Sequence, residues 1–109
     1  MTGTEEHPMV WLERWYQAQC SGDWEHQYGV RIGTLDNPGW SLDVDLVHTA
    51  AAGRTKEPRI VERSETDWIF CEVKDGVFRA RGGPGNLVEL LGAFREFVGE
   101  KNEYLKGSP

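Results

Sequence analysis

The residues of this chain whose types could support catalysis or metal binding are its three histidines, its two cysteines and a few paired acids. Glu25 and His26 are adjacent, so on a strand their side chains would point to opposite faces and could not act as one acid–base pair without a bend. Asp43 and Asp45 would share a face and could hold a hard cation such as magnesium. Alternating acids are, however, also typical of the solvent side of a half-exposed strand. We therefore expect no metal site and no catalytic residues.

The cysteines and a glycine-rich run give no stronger sign of an enzyme. Cys20 and Cys71 lack metal or redox spacing, and we interpret both as reduced thiols in the core. A thiol-dependent enzyme would rely on Cys71 or His26, but Cys71 lies in a predicted strand, away from a helix N-terminus that would lower its pKa. The run GGPGN at 82–86 opens a helix without the Lys-Ser/Thr continuation of a phosphate loop, which indicates a loop and helix cap. No cofactor is expected.

Length and charge restrict the function further. The chain has 109 residues and a formal charge of -6, which fits one domain over 1–109 with flexible ends at 1–7 and 106–109. The acidity disfavours nucleic acid and anionic membranes as partners and suits a basic protein, although acidity also simply favours solubility. Nothing resembles a signal peptide or a membrane span, so we expect a cytoplasmic protein. The sequence does not determine the oligomeric state.

The apolar pattern predicts a helix followed by a hairpin. A helix over residues 8–20 begins with Pro8, and Gly22, which can adopt a positive φ, follows its end. The period then changes to two, which predicts strands at 28–34 and 40–46 with one buried face. These elements place the aromatic and acidic residues of the first half of the chain.

The register of this hairpin follows from the requirement that the apolar sets lie opposite each other. It pairs Thr34 with Leu42, Ile32 with Val44, and Val30 with Leu46. The loop then has an odd length, three residues (37–39) or five, with Gly39 at positive φ. On the other face Arg31 lies opposite Asp45, and Asp43 is left without a partner.

The second half of the chain predicts more strands and a final helix. Residues 49–58 lack periodicity and indicate a loop. Further strands are predicted at 59–62, 68–74 (a central strand) and 77–81. Asn86 and Glu89 form a capping box that opens a helix over 86–103. The fold class is therefore α+β: an N-terminal helix, an antiparallel sheet of four to five strands in a meander of hairpins, and a C-terminal helix, with the helices packed on the sheet.

Five tryptophans are many for so short a chain. Four of them occupy apolar periodic positions and are predicted core residues: Trp11, Trp15, Trp40 and Trp68. Trp24 lies in a connection beside acids, where it either folds back as a lid over the core or contacts a partner, since Trp and Tyr are frequent interface hot spots. We therefore predict a mixed aromatic and acidic contact patch, formed by Trp24, Glu25, His26, Tyr28, Asp36, Asn37, Trp40, Asp43 and Asp45.

Three runs in the chain are more specific: WLERWYQAQCSGDWEHQYGVRIGTLDNPGWSLDVDL, DWIFCEVKDGVFRARGG and NLVELLGAFREFV. On these residues the chain resembles the immunity protein 53 family of bacterial polymorphic toxin systems. The likeness covers nearly the whole chain and is weakest over 49–65. The resemblance implies a small cytoplasmic protein, encoded beside a toxin, that binds and neutralises it. It carries over no catalytic residues.

The resemblance and the acidity together favour a basic toxin domain as the partner, for example a nuclease whose substrate cleft an acidic, aromatic patch would occlude. Two other functions are left open. One is a small ligand-binding or scaffold module, with a pocket between the first helix and the sheet lined by Trp15, Tyr28 and Trp40. The other is a small sulfur-transfer or hydrolytic enzyme that uses Cys71 or His26.

Overall fold

The computed structural model describes the backbone of residues 6–107 and the side chains of residues 6–99. Its elements, in chain order, are α1 (Pro8–Gln19), α2 (Trp24–Gln27), β1 (Val30–Leu35), β2 (Gly39–Asp45), β3 (Arg59–Glu62), β4 (Trp68–Lys74), β5 (Val77–Gly82) and α3 (Leu87–Gly107). The predicted α+β class is confirmed. The short helix α2 is not predicted from the sequence, because four residues are too few to show a helical period.

The expected flexible ends fall mainly outside the described residues, which exclude 1–5 and 108–109. At the C-terminal end, Lys106 and Gly107 belong to α3, so this helix is longer than the predicted 86–103. At the N-terminal end, the His7 Nδ1 accepts a hydrogen bond of 3.0 Å from the backbone N–H of Met9 and caps α1. Within the described part of the chain, no helix is long and apolar enough to cross a bilayer.

The five strands form one antiparallel sheet in the order β1-β2-β5-β4-β3. Both predicted hairpins, β1–β2 and β4–β5, are confirmed. The turn between β4 and β5 has φ values of 55° at Asp75 and 78° at Gly76, as a two-residue Asp-Gly hairpin turn requires. β4 is an interior strand as predicted, but the middle position belongs to β5.

The predicted register of the first hairpin is wrong by two residues. The observed pairs include Ile32 with Leu42 and Leu35 with Gly39, so the loop is the three residues 36–38. Gly39 lies inside β2 and does not have the predicted positive φ. A side chain there would bring its Cβ to 2.3 Å from the backbone oxygen of Gly82 on β5, so Gly39 is needed for strand contact. Because the shift is by two residues, each side chain keeps its face.

The helices pack on one face of the sheet and form the core with it. The buried side chains of α3 are Leu90, Leu91, Phe94 and Phe97, and they meet the inward residues of the sheet, which include Leu42, Val44, Ile69, Cys71, Phe78 and Ala80. Trp11 and Trp15 of α1 meet the Phe94 ring edge to face, with centroids 5.8 and 5.0 Å away. Trp68 is different from the prediction, because it is half-buried on the opposite face, paired with Glu62.

Asn86 joins the start of α3 to the sheet. Its side-chain Oδ1 accepts hydrogen bonds from the backbone N–H groups of Gly83 (3.1 Å) and Trp68 (3.3 Å). Its Nδ2 donates to the carboxylates of Asp67 (3.0 Å) and Glu89 (3.1 Å). The predicted capping box is therefore wrong: Glu89 binds the side chain of Asn86, and the backbone N–H of Asn86 donates to the Gly83 carbonyl. This buried amide is a junction between β4, the glycine loop and α3.

Candidate protein-interaction surface

Trp24 is a structural centre of the predicted contact patch. Its side chain is only 4% exposed, and its indole N–H donates a hydrogen bond of 2.8 Å to the Val47 carbonyl. The rings of Trp15, Tyr16 and Tyr28 surround it, with centroids 6.1 to 6.2 Å away. Of the two roles considered for Trp24, the structure favours the lid over the core. The ring of Trp24 therefore holds α2 against the body and has little surface left for contact with another molecule.

The connection between α1 and α2 is fixed by Glu25. Its carboxylate accepts hydrogen bonds of 2.9 Å from the backbone N–H groups of Ser21 and Gly22. Hydrogen bonds from the N–H of Glu25 itself and from that of Ser21 lower the pKa of this carboxyl. Gly22 has a φ of 99°, as predicted for the residue after α1. The Glu25 carboxylate therefore holds the loop between the two helices in place, while the neighbouring His26 is exposed.

A cleft of about 550 Å³ opens beside α2. We call it the α2 cleft; its lining residues are Ala18, Gln19, Ser21, Asp23, Trp24, Gln27, Tyr28 and His48. The Tyr28 ring meets the His48 ring edge to face, with centroids 6.0 Å apart. Asp23 is exposed and makes no side-chain hydrogen bond to the start of α2, so its carboxylate is open to solvent.

A second depression, the α1–β1 groove of about 280 Å³, lies next to the α2 cleft and is lined by Met9, Leu12, Glu13, Tyr16, Gly29 and Val30. The two depressions adjoin, since Tyr16 of the groove meets Trp24 of the cleft and Gly29 follows Tyr28. Their lining residues include the acids Glu13 and Asp23 and no lysine or arginine. Together they form a continuous aromatic and acidic surface.

The structure separates the predicted patch into two ends. Glu25, His26 and Tyr28 lie at the start of β1, whereas Asp36 and Asn37 lie at the hairpin tip after its six residues, about 20 Å further along. Trp40 is also at the tip end, where its indole N–H donates to the Pro84 carbonyl at 2.9 Å. The ligand pocket considered for Trp15, Tyr28 and Trp40 is not supported, because Trp40 lies away from Tyr28 and Trp15 packs on Phe94 and Trp24.

Asp43 and Asp45 lie on the open face of the sheet and are both paired. Asp45 accepts hydrogen bonds of 2.9 Å from the guanidinium of Arg31 and from the backbone N–H of Gly29. Asp43 binds Arg81 at 2.9 Å, so the prediction that Asp43 lacks a partner is wrong. Arg31 is the expected partner of Asp45, but it reaches that acid diagonally, because its directly paired residue is Asp43. These two acids are therefore already neutralised by arginines.

The Asp45 pair predicts a pH-dependent contribution to stability. The hydrogen bond from Arg31 is the main cause that lowers the pKa of Asp45, with the Gly29 N–H acting in the same direction and burial opposing them. This contribution is complete above the pKa of an Asp in the unfolded chain, about 4. It is lost as the pH falls through the lower pKa that Asp45 has in the folded protein. We expect Asp45→Asn to lower the free energy of unfolding by about 1 kcal/mol at pH 7 and by less below pH of about 3. Urea unfolding across this range measures the difference.

The control for this measurement is Asp36→Asn, at an exposed turn position with no ion pair among the described side chains. We expect that variant to follow the wild type at every pH. An Asp45→Asn deficit that does not shrink in acid would contradict the assigned role of the carboxylate.

The two cysteines occupy different environments. Cys71 is fully buried on the inner face of β4, as predicted, and burial raises the pKa of its thiol. Cys20 is exposed at the end of α1, so the prediction that it lies in the core is wrong. Its S–H donates to the Tyr16 carbonyl at 3.4 Å. The environment of Cys71 opposes formation of the thiolate that a thiol-dependent enzyme would need. Among the described residues no cluster of possible metal ligands occurs.

This difference predicts the reactivity of the two thiols. In the folded protein we expect iodoacetamide to modify Cys20 readily and Cys71 only after unfolding, because alkylation needs an accessible thiolate. Mass spectrometry of the native protein should show one added group, and Cys20→Ser should show none. Rapid native labelling of the Cys20→Ser variant would contradict the burial of Cys71.

Some residues of this surface are absent from the predicted patch. Glu13 and Tyr16 belong to the helical pattern of α1, which does not show on which side the helix leaves its face open. His48 has a φ of 63° in the turn after β2, and the sequence pattern gives no sign of its contact with Tyr28.

Comparison with known proteins identifies the family of the chain. The model of the family described as immunity protein 53 matches residues 9–99. A search of curated proteins and a search of solved structures find no match. The matched segment runs from α1 into α3 and contains the whole sheet, the α2 cleft and the α1–β1 groove. This protein therefore belongs to the immunity protein 53 family.

Proposed function

We propose that this protein binds a cognate toxin domain and neutralises it by covering a basic surface of the toxin with the α2 cleft and the α1–β1 groove. Membership of an immunity protein family supports an immunity function and a non-catalytic role. The observation that supports this location is the charge of the surface, which contains Glu13 and Asp23 without any lysine or arginine.

The opposite sheet face differs in charge. A depression of about 390 Å³ on that face is lined by four cationic side chains, Arg31, Lys74, Arg79 and Arg81, beside the acids Asp43 and Asp75. Arg31 is also more exposed than the Asp45 that it binds, with side-chain exposures of 56% and 15%. On this face a basic partner would meet the ends of arginine side chains. The acidic residues that give the chain its net charge of -6 must therefore lie mainly on other surfaces. Charge complementarity therefore favours the α2 cleft and the groove.

Rigid aromatic side chains suit this surface to tight binding. Tyr28 and Tyr16 flank the buried Trp24, which is anchored to Val47, so little conformational freedom is lost when a partner contacts them. Tyrosine is also among the residues enriched at interface hot spots. Tyr16, Tyr28 and the exposed His26 would supply the contact area around the acids.

A basic toxin surface is what a nuclease presents to the phosphates of its substrate, so we propose a nuclease domain as the target. Inhibition would then be steric and electrostatic: the immunity protein covers the substrate cleft and excludes nucleic acid. Such association should be fast and should weaken with salt, because exposed charges are screened beyond about 8 Å at physiological ionic strength.

Co-expression tests the immunity function. Cells that express the toxin domain encoded beside this gene should stop growing, and simultaneous expression of this protein should restore growth. The control is an unrelated toxin domain of a different family, which this protein should not neutralise. Continued arrest of cells that contain soluble immunity protein and its neighbouring toxin domain would contradict the proposal.

A further inference from the structure

Strand β1 is an edge of the sheet with one side unpaired. It pairs only with β2, and the N–H of Asp45 donates to the carbonyl of Gly29 at 3.1 Å, so Gly29 faces β2. Because backbone groups alternate in direction along a strand, the N–H and C=O groups of every second residue from Val30 point away from the sheet. These outward residues are Val30, Ile32 and Thr34, and no described residue hydrogen-bonds to them.

The side chains beside this edge are apolar and exposed. Ile32 is 39% exposed, although its neighbour in the sheet, Leu42, is fully buried. The helices therefore cover the inner face of the sheet as far as β2 and leave β1 partly exposed to solvent. On the helix side, the exposed Met9 and Tyr16 line the α1–β1 groove, which meets β1 at its first residue, Val30. The edge thus offers backbone hydrogen bonds next to an apolar groove.

The other edge of the sheet also has an exposed apolar residue, Ile60 (63% exposed), but it lies on the open face, away from the helices. The depression beside that edge is lined by charged residues, which include Arg59, Glu89 and Glu96. β3 has four residues, follows Pro58 and carries the charged residues Arg59 and Glu62. Short length, proline and charge are the features that protect edge strands from pairing with another chain. The longer β1 has a single charged residue, Arg31, which is engaged with Asp45 on the open face. The two edges therefore differ in their readiness to accept a strand.

We propose that β1 accepts an extended segment of the toxin domain as a sixth strand of the sheet. This inference rests on the proposed immunity function and identifies how the partner is held. Backbone groups of the toxin strand would bond to Val30, Ile32 and Thr34, and its side chain beside Val30 would enter the α1–β1 groove. The segment should carry apolar residues at alternate positions and a lysine or arginine near Glu13, which has no ion pair among the described side chains.

The charge of the chain favours a toxin segment over a second copy as the occupant. Symmetric pairing of two β1 strands keeps both α1 helices, with their exposed Glu13 side chains, on the same face of the joined sheet. Each copy also carries a net charge of -6, so the copies repel. A basic toxin strand meets the same acids favourably.

Proline substitution at the two edges provides the test. Ile32→Pro removes an outward N–H from β1 without removing a bond to β2, and proline is tolerated at such edge positions. We expect toxin binding, measured by calorimetry, to weaken about 100-fold or more. Ile32→Ala separates the side chain from the N–H and should weaken binding much less. Ile60→Pro is the matched control, because it removes an outward N–H from the β3 edge and should leave the affinity unchanged.

Hydrogen exchange gives a second measurement that does not depend on how a variant folds. In the wild-type complex, the amides of Val30, Ile32 and Thr34 should exchange far more slowly than in the free protein. If the wild type binds the toxin but these amides stay unprotected, the strand proposal is wrong and the immunity function stands. If the wild type does not bind, the proposed function itself fails. A third outcome is that these amides are already protected in the free protein and that ultracentrifugation shows the free protein to be a dimer. The edge would then bind a second copy of this chain, and the proposal would be wrong.

Discussion

Replacement of Asn86 by alanine is expected to lower the free energy of unfolding by about 2 kcal/mol, a substantial part of the stability of a domain of this size. The side chain accepts bonds from the backbone N–H groups of Gly83 and Trp68. In the variant, Gly83 keeps the Trp68 carbonyl as an acceptor, whereas the Trp68 N–H loses its acceptor. The Trp68 N–H points at the buried Asn86 side chain, so water does not easily replace the lost acceptor. The variant also removes the amide bonds to Asp67 and Glu89, although the Arg63 guanidinium still binds both carboxylates.

Urea unfolding monitored by tryptophan fluorescence measures this effect. Asn37→Ala is the matched control, because Asn37 is exposed at the hairpin tip and makes no side-chain hydrogen bond among the described residues. We expect that control to change stability by less than about 0.5 kcal/mol. A loss of under about 1 kcal/mol for Asn86→Ala would show that the junction contributes little to the fold.

The double charge reversal Glu13→Lys with Asp23→Lys is expected to weaken toxin binding about 100-fold or more, mainly by slowing association. Both acids lie on the surface formed by the α2 cleft and the α1–β1 groove, and neither has an ion pair among the described side chains. Asp23 also makes no cap hydrogen bond to α2, so the change should leave the fold intact. Stopped-flow association and calorimetry with the toxin domain measure the effect.

The matched control is Glu57→Lys with Glu65→Lys, which produces the same change in net charge at exposed positions outside the two depressions. If charge acts locally, the control should weaken binding less than about 5-fold, through the reduced overall attraction alone. Equal losses for the two double variants would instead indicate that only net charge matters, and would remove the assignment of the binding surface.

Asp43→Lys with Asp45→Lys is a less informative charge reversal. It would break the ion pairs with Arg81 and Arg31 and place lysines beside those arginines. A loss of binding in that variant would then combine damage to the sheet with loss of contact.

The fold was largely predictable because its signals are local. The helical spacing in α1 and α3, the alternation in β1 and β2, and the Asp75-Gly76 turn each depend on neighbours in the sequence. The register of the first hairpin depends instead on Gly39. This residue must be glycine inside β2 because its backbone lies close to Gly82 of β5, which is far along the chain. No periodicity reveals such a contact.

The contact patch was harder to predict for the same reason. The burial of Trp24 depends on the Val47 carbonyl, and the pairing of Asp43 depends on Arg81, 38 residues away. Tyr28 is also far from Asp36 and Trp40, because a hairpin places the start of its first strand and its tip at opposite ends. What the sequence did indicate was the chemistry: aromatic rings beside acids around α2, with an overall negative charge.

The most direct test of the central claim is a calorimetric titration of this protein with the toxin domain encoded beside its gene, at low and at high salt. The account predicts one-to-one binding with a dissociation constant on the order of nanomolar at low salt, weakened at least about 10-fold at high salt. The absence of binding to a folded toxin domain would contradict the immunity function. Tight binding with no dependence on salt would contradict the acidic surface as the site of recognition.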